Sequence, residues 1–297
     1  MHIDGNTRVF LILGDPVSQV RAPQAFNHLF RRHGVNAVLV PAKVAPARFD
    51  AFVRHALTAD NIDGLWLAIP HKTAMVSLLD HCDTLGRVAG AVNAARRNAD
   101  GSLEGGLFDG VGFVKALDRF GIRTFGRRVL VVGVGGGGVA IAASLAQRGC
   151  AELALFDAMP GRAAQVAGRL TAAFGHIRVT APASADPAGF DLVVNASPLG
   201  LAAGDPLPFD VARLDRSADV VDILMKNQPT PLLRACAARG ISAHPGFEMM
   251  LLQMPEYLNF FGLHDLAQAV QDDPGELRAL LQPADAADTT APLYACP

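Results

Sequence analysis

Neither sign of charge is in surplus in this chain of 297 residues: 26 lysines and arginines meet 28 aspartates and glutamates, for a net charge of -2. Proteins that grip nucleic acid or an anionic membrane concentrate basic charge on one face or in runs. The balance here excludes both kinds of partner and leaves a small molecule as the expected one. Cysteine is scarce as well. Cys82, Cys150, Cys236 and Cys296 stand far apart, with no Cys-x-x-Cys and no histidine pair at ligand spacing, which argues against a disulfide framework or a metal site. Reduced thiols in a cytoplasmic protein are the expectation. The short, polar, acidic start Met1-His2-Ile3-Asp4-Gly5 predicts no signal or transit peptide. An unbroken apolar stretch of membrane length is missing too. The nearest approach, Val129 to Gln147, carries four consecutive glycines in its middle, each a cost to a helix, so it reads as strand, loop and helix.

Hydrophobic residues make up 51% of the chain, enough at this length to fill two cores. Apolar runs at Val9–Leu13, Val35–Val40 and Gly64–Ile69 alternate with helical patterns at Pro23–His33 and Ala47–Ala59, which predicts parallel strands joined by crossover helices. A hairpin-like pair follows around Asn98–Gly101, and Asp109-Gly110 opens a helix through Phe120. At Arg127 the pattern restarts as a cleaner βαβ unit: strand Val129–Val132, glycine loop, helix Val139–Arg148, strand Leu153–Phe156. The expected class is α/β: an N-terminal substrate domain with a mostly parallel sheet, then a Rossmann-type doubly wound dinucleotide-binding domain. The expected boundaries are 1–112 for the first domain, with a returning helix over 247–271, and 113–246 for the second. Residues 272–297, rich in Ala, Asp and Pro, read as a disordered tail holding a short helix over Gly275–Leu281.

Gly133, Gly135 and Gly138 form Gly-x-Gly-x-x-Gly between an apolar strand and a helix. The first makes a tight turn, the second lets backbone approach a pyrophosphate, and the third allows close packing of helix on strand. With Gly136, Gly137 and Val139 they present the N–H groups and positive end of a helix to phosphate. Asp157 ends the next strand, at the distance where a carboxylate takes the adenosine ribose hydroxyls and repels a 2′-phosphate. NAD is therefore expected over NADP, with Arg162 the residue that would soften the preference. Asp157 can also be read as a helix cap.

Beyond this loop the chain carries Gly14-Asp15-Pro16-Val17 with Pro23, Ile69-Pro70-His71-Lys72, Gly90-Ala91-Val92-Asn93 and Asp109-Gly110-x-Gly-Phe113. Asn195-Ala196-Ser197-Pro198-Leu199-Gly200, Thr230-Pro231-Leu232-Leu233 and Gly246-Phe247-Glu248-Met249-Met250-Leu251-Leu252-Gln253 follow. In this order, from Val9 to Gly262, they resemble the shikimate/quinate dehydrogenase family. The resemblance implies that Lys72 and Asp109 work as a pair on the hydroxyl being oxidised while hydride passes to the nicotinamide. Such chemistry needs the O–H proton to leave as the hydride does. It also implies that Asn93 and Gln253 bond substrate hydroxyls and that Met225, Gly246 and Met249 lie near nicotinamide and substrate. Asn195 ends a strand at the carboxyl edge of the sheet, the usual ligand side of a doubly wound fold, and can also be read as a loop cap. Read as residues alone, Lys72 fits a solvated lysine, Asp109 a helix cap, Asn93 and Gln253 buried amides, and the methionines core.

The chain also departs from the family. Its Ser-x-Ser, which grips the substrate carboxylate, falls on Val20-Arg21-Ala22. The asparagine and threonine before the lysine fall on Trp66 and Ala68, the Asn-Thr before the aspartate on Leu107-Phe108, and a tyrosine on Met225. Arg21 taking a carboxylate as a bidentate pair, with Ser18 or Gln19 donating, would compensate; a solvated loop residue is the other reading of Arg21. Trp66 is read as a stacking wall for a flat ring. The expected activity is NAD(H)-dependent hydride transfer with a secondary alcohol or ketone of a cyclic hydroxy acid or polyol less hydroxylated than shikimate. A genuine shikimate or quinate dehydrogenase with a rebuilt carboxylate site, and a non-catalytic dinucleotide-binding sensor, remain alternatives. A monomer or homodimer is expected.

Overall fold

The apolar run near the start of the chain forms an inner strand. A computed structural model describes residues 3–202 and 204–281, with β1 (Arg8–Gly14) burying Phe10, Ile12 and Leu13. Helix α1 (Ala22–Arg32) has Pro23 in its first turn, where a missing N–H costs nothing, and Arg31 and Arg32 in its last, facing the negative end of its dipole. Its buried face is Ala25, Phe26, Leu29 and Phe30, the spacing of one helical stripe. Strand β2 (Ala37–Lys43), helix α2 (Phe49–Ala56) and strand β3 (Ile62–Leu67) follow, and β1 pairs in parallel with both β2 and β3. Next come the short elements α3 (His71–Ala74), β4 (His81–Cys82) and α4 (Thr84–Ala89), then the hairpin β5 (Ala94–Arg97) and β6 (Leu103–Gly106). The sheet order is β2-β1-β3-β5-β6-β4, with β5 antiparallel to both its neighbours. The parallel half is the part that sequence alternation predicts. The hairpin turns the remainder into a mixed sheet.

The second unit starts with α5 (Asp109–Arg119) and then winds strand and helix alternately: β7 (Arg128–Val132), α6 (Gly136–Gln147), β8 (Glu152–Phe156), α7 (Arg162–Ala173), β9 (Arg178–Thr180) and β10 (Leu192–Asn195). It closes with β11 (Asp219–Asp222), α8 (Pro231–Ala237), β12 (Ser242–Pro245) and α9 (Phe247–Leu252). All six strands are parallel, in the order β12-β11-β10-β7-β8-β9. This is the doubly wound Rossmann arrangement. Its inner strands are apolar throughout, Val129–Val132 and Leu192–Val194 all being buried, because helices cover both faces. Strand order reverses between β7 and β10, which opens a crevice at their carboxyl ends.

The chain then returns to the first unit with α10 (Met254–Phe260), α11 (His264–Asp272) and α12 (Gly275–Leu281). The first unit thus comprises residues up to Phe108 together with Gln253–Leu281, and the second runs from Asp109 to Leu252. The expected boundary at 112/113 moves to 108/109, and the return begins at 253 rather than 247. Both shifts have one cause: α5 packs on α6 and α9, so those helices share a core. Three local expectations also change. The returning helix expected over 247–271 is three helices, α9, α10 and α11, broken at Gln253 and again after Phe260, with Pro255 opening the second. The glycine-loop helix starts at Gly136, not Val139. Order extends past residue 272, since α12 buries Leu277 and Leu281; the rest of the expected tail, 282–297, lies outside the described residues. Among the described residues no helix is long and apolar enough to cross a membrane, and no cluster of His, Cys, Asp and Glu could hold a metal.

Candidate active site

In the second unit the glycine loop is shaped by contacts only glycine allows. Gly133 has φ of +92°, and a Cβ on it would lie 2.6 Å from Ser197 N; one on Gly138 would lie 1.9 Å from the Gly133 oxygen. Gly135, by contrast, is exposed, with no atom within 4 Å of its Cβ position, so a pyrophosphate can come against its backbone. Gly136 and Gly137 begin α6 and Val139 continues it, their N–H groups at its positive end.

Asp157 is not the free carboxylate that its sequence position suggests. Its Oδ2 accepts from Val134 N at 2.9 Å and its Oδ1 from Met159 N at 2.8 Å, and Arg162 Nη1 lies 3.5 Å from Oδ1. The side chain ties the end of β8 to the glycine loop. Arg162 beside it is 38% exposed and is the cation at this edge. Asn195, fully buried, accepts from Ser197 N and Oγ and donates to Asp222 and Leu199 O, so it organises its own loop. Gly246 packs with its Cβ position 2.5 Å from Ile223 Cα, Met225 is half-buried beyond it, and Met249 is buried in α9.

Asp109 is the first residue of α5 and is 6% exposed. A carboxylate there lies at the positive end of the helix dipole. The next residue, Gly110, presses α5 onto α6.

In the first unit, Asn93 is the hub. It is fully buried; its Oδ1 accepts from Phe108 N at 2.9 Å and its Nδ2 donates to Gln253 Oε1 at 3.3 Å. Its carbonyl accepts from Tyr257 Oη at 3.3 Å, and the preceding residue, Val92, donates its N–H to the Lys72 carbonyl at 2.9 Å. Lys72, on α3, is half-buried. Lys72, Asn93 and Gln253, far apart in sequence, are thus knit together by two hydrogen bonds, and the break before α10 is what sets Gln253 in place.

The expectations for the pocket wall change. Arg21 is no free arm: its Nη1 donates to Leu281 O at 2.7 Å and its Nη2 to Leu280 O at 3.4 Å, holding the carboxyl end of α12. A guanidinium is well suited there, since the last carbonyls of a helix lack partners. Trp66 is 2% exposed and packed among Phe10, Phe26, Tyr257 and Phe261, with ring centroids 4.3–5.3 Å away. It is core, not a solvent-facing wall. Ser18 is exposed on the turn before α1, and Gln19 bonds Pro16 O. Two residues escaped the sequence reading. His71, beside Lys72, is buried, bonded through Nε2 to Val44 O at 2.7 Å and stacked on Phe49 at 4.3 Å. Asp222 is the other; a carboxylate closing the apolar strand Val220-Val221 was its available signal.

Residues 12–95 match the shikimate dehydrogenase substrate binding domain. Over 254 residues, 84% of this chain and 89% of the relative, the chain is 39% identical to a shikimate dehydrogenase (NADP(+)) of Rubrobacter xylanophilus. It is 36% identical over 265 residues, 89% of this chain and 94% of the relative, to one of Acidiphilium cryptum. A crystal structure of shikimate dehydrogenase from Aquifex aeolicus superposes with a TM-score of 0.78 at 25% identity, covering 92% of this chain and all of that one. These names overturn the expectation of NAD, since the relatives are NADP(+) enzymes. The physical reason agrees: Asp157, on which NAD rested, spends both oxygens on the protein's own N–H groups, and an exposed arginine stands next to it.

Proposed function

The chain belongs to the shikimate dehydrogenase family, and from that premise we propose that it is an NADP(H)-linked shikimate dehydrogenase, transferring hydride between a ring carbinol of shikimate and the coenzyme. The observation that carries the reading is the convergence on Asn93. Its amide bonds Gln253, and the neighbouring Val92 N–H bonds the Lys72 carbonyl; Lys72, Asn93 and Gln253 match positions where the family handles its substrate.

When bound, the coenzyme supplies the hydride acceptor; the rest falls to the chain. The carbinol O–H proton must depart as its carbon loses hydride, and Lys72 and Asp109 are assigned to that proton. Asn93 and Gln253 orient ring hydroxyls. The glycine loop and the start of α6 hold the pyrophosphate, and Arg162 pairs with the 2′-phosphate. We place the enzyme in the cytoplasm, where Cys82, Cys150 and Cys236, all free, stay reduced.

A second reading has its own observation. With Val20 and Ala22 in place of serines, Arg21 committed to α12 and Trp66 in the core, the wall offers fewer polar partners than shikimate's carboxylate and hydroxyls require. A less hydroxylated cyclic alcohol fits that wall better.

One assay decides between them: shikimate, quinate and a panel of cyclic alcohols with NADP+ and NAD+, followed at the nicotinamide absorbance. Turnover of shikimate with NADP+, abolished in Lys72→Ala while coenzyme binding persists, is the expected result. Turnover confined to a carboxylate-free alcohol would select the second reading. NADPH binding without turnover of any substrate would reject both.

A further inference from the structure

Two loops leave the carboxyl edge of the all-parallel sheet, one after β10 and one after β11; Asn227 Nδ2 ties the second to Leu201 O at 2.8 Å and to Gly200 O at 3.4 Å, and Asp222 joins the two at their roots. Asp222, the last residue of β11, is 0% exposed. Its Oδ1 accepts from Asn195 Nδ2 at 3.0 Å and from Leu224 N at 3.3 Å, and its Oδ2 accepts from Thr230 Oγ1 at 2.6 Å. Both side chains pass the constraint on. Asn195 accepts from Ser197 N at 3.1 Å and Ser197 Oγ at 2.6 Å, and reaches Leu199 O at 3.3 Å. Thr230 caps α8, accepting from Leu233 N at 3.2 Å. The backbone of Asp222 also receives Gly246 N at 2.8 Å.

The strand itself has no need of this carboxylate. The ladder is made by backbone groups alone, whereas burial disfavours the charged form and pushes the Asp222 carboxyl above its usual pKa. All three groups facing it are donors, the complement of an ionised carboxylate. Its purpose therefore lies in what it joins. The loop after β10 supplies Ala196 and Ser197, the backbone on which Gly133 rests, and it flanks the crevice where strand order reverses. The loop after β11 leads through Leu224 to Met225.

We propose that Asp222 is a positioning residue for the coenzyme: through Asn195 and Leu224 it holds segments 195–200 and 223–225 in the spacing that coenzyme binding requires. The proposal rests on the coenzyme-binding reading above. Loops already held in place lose little freedom when the ligand arrives. In Asp222→Asn an amide N–H replaces the oxygen that accepts from Thr230 Oγ1, so that hydroxyl must turn to accept it, the charged bonds become neutral ones, and the hold on the two loops weakens.

The test is calorimetric titration of NADPH into full-length wild type and Asp222→Asn, with steady-state kinetics and thermal melts. The expected result is a Kd and KM for NADPH about tenfold higher, worth one lost charged hydrogen bond, with kcat at saturating coenzyme within about twofold. Thr230→Val, which removes one donor, weakens NADPH binding as well, and Thr230→Ser, with its hydroxyl kept, binds more tightly than Thr230→Val. A lower melting temperature with unchanged NADPH affinity overturns the proposal, and so does equal binding by the two Thr230 variants. A wild type that takes up no NADPH overturns the coenzyme reading and the positioning role with it; uptake by wild type matched in Asp222→Asn overturns the positioning role alone.

Discussion

The α-carbon of Gly110 lies directly against the backbone of Ala140: a Cβ at Gly110 would sit 2.1 Å from the Ala140 carbonyl oxygen and 2.4 Å from Ser144 Oγ. Asp109 is joined to Gly110, and Ala140 lies one turn inside the helix that starts at the glycine loop. The candidate catalytic carboxylate is thus seated on the dinucleotide helix through a contact that admits no side chain.

Gly110→Ala is expected to push α5 away from α6. Overpacking of this kind costs about 1–3 kcal/mol, and a shift of about 1 Å at a reacting group lowers kcat about a hundredfold. Gly168→Ala in α7 is the control. It has no atom within 4 Å of its Cβ position, so it should gain about 0.5–1 kcal/mol from helix propensity and leave kcat alone. Equal kcat for both variants would refute the role given to the Gly110 contact.

Arg162→Ala removes the exposed cation beside Asp157. If Arg162 pairs with the 2′-phosphate, KM for NADP+ rises about thirtyfold, for a charged hydrogen bond worth about 2 kcal/mol, while KM for NAD+ changes little. Parallel kinetics with the two coenzymes check this, and a loss shared by both would show that Arg162 acts only by supporting the loop.

Arg21→Ala releases the end of α12. The expected outcome is a loss of about 1 kcal/mol, the scale of a favourable charge at a helix terminus, with KM for shikimate essentially unchanged. Denaturant melts and initial rates measure the two effects separately. A steep rise in KM with an intact melt would return Arg21 to the substrate carboxylate.

Asp222 has a stability signature of its own. Its folded pKa is raised by burial, so between about 4, the unfolded value, and the raised one, the folded state binds the extra proton. Wild-type stability relative to Asp222→Asn must then fall as pH rises through that window and level off above it. Melting temperatures of both proteins from acid to neutral pH follow the difference, which cancels the contributions of Asp83 and His244. A difference that grows with pH would contradict the buried, raised carboxyl.

Much of the fold could be read along the chain because its causes are local. Apolar runs of strand length, helical stripes such as Ala25 to Phe30, and Pro23 in a first turn each act within a few residues. The glycine loop belongs with them: Gly133 needs its positive φ where strand passes into helix. The unit boundary was less legible, since α5 belongs with α6 by virtue of Gly110 meeting Ala140, 30 residues onward.

The side chains divide in the same way. Sequence by itself determined the α/β architecture and the family, and it singled out the glycine loop, Lys72, Asn93, Asp109 and Gln253 as candidates. Tertiary structure alone decided what the polar groups spend their bonds on. Asp157 went to Val134 and Met159, Arg21 went to α12, Trp66 went into the core, and Asp222 became one joint between two loops. The reason is that a hydrogen bond or a ring contact is settled by which groups folding brings within about 3–5 Å, and partners such as Leu281 for Arg21 or Tyr257 for Trp66 stand far away along the sequence.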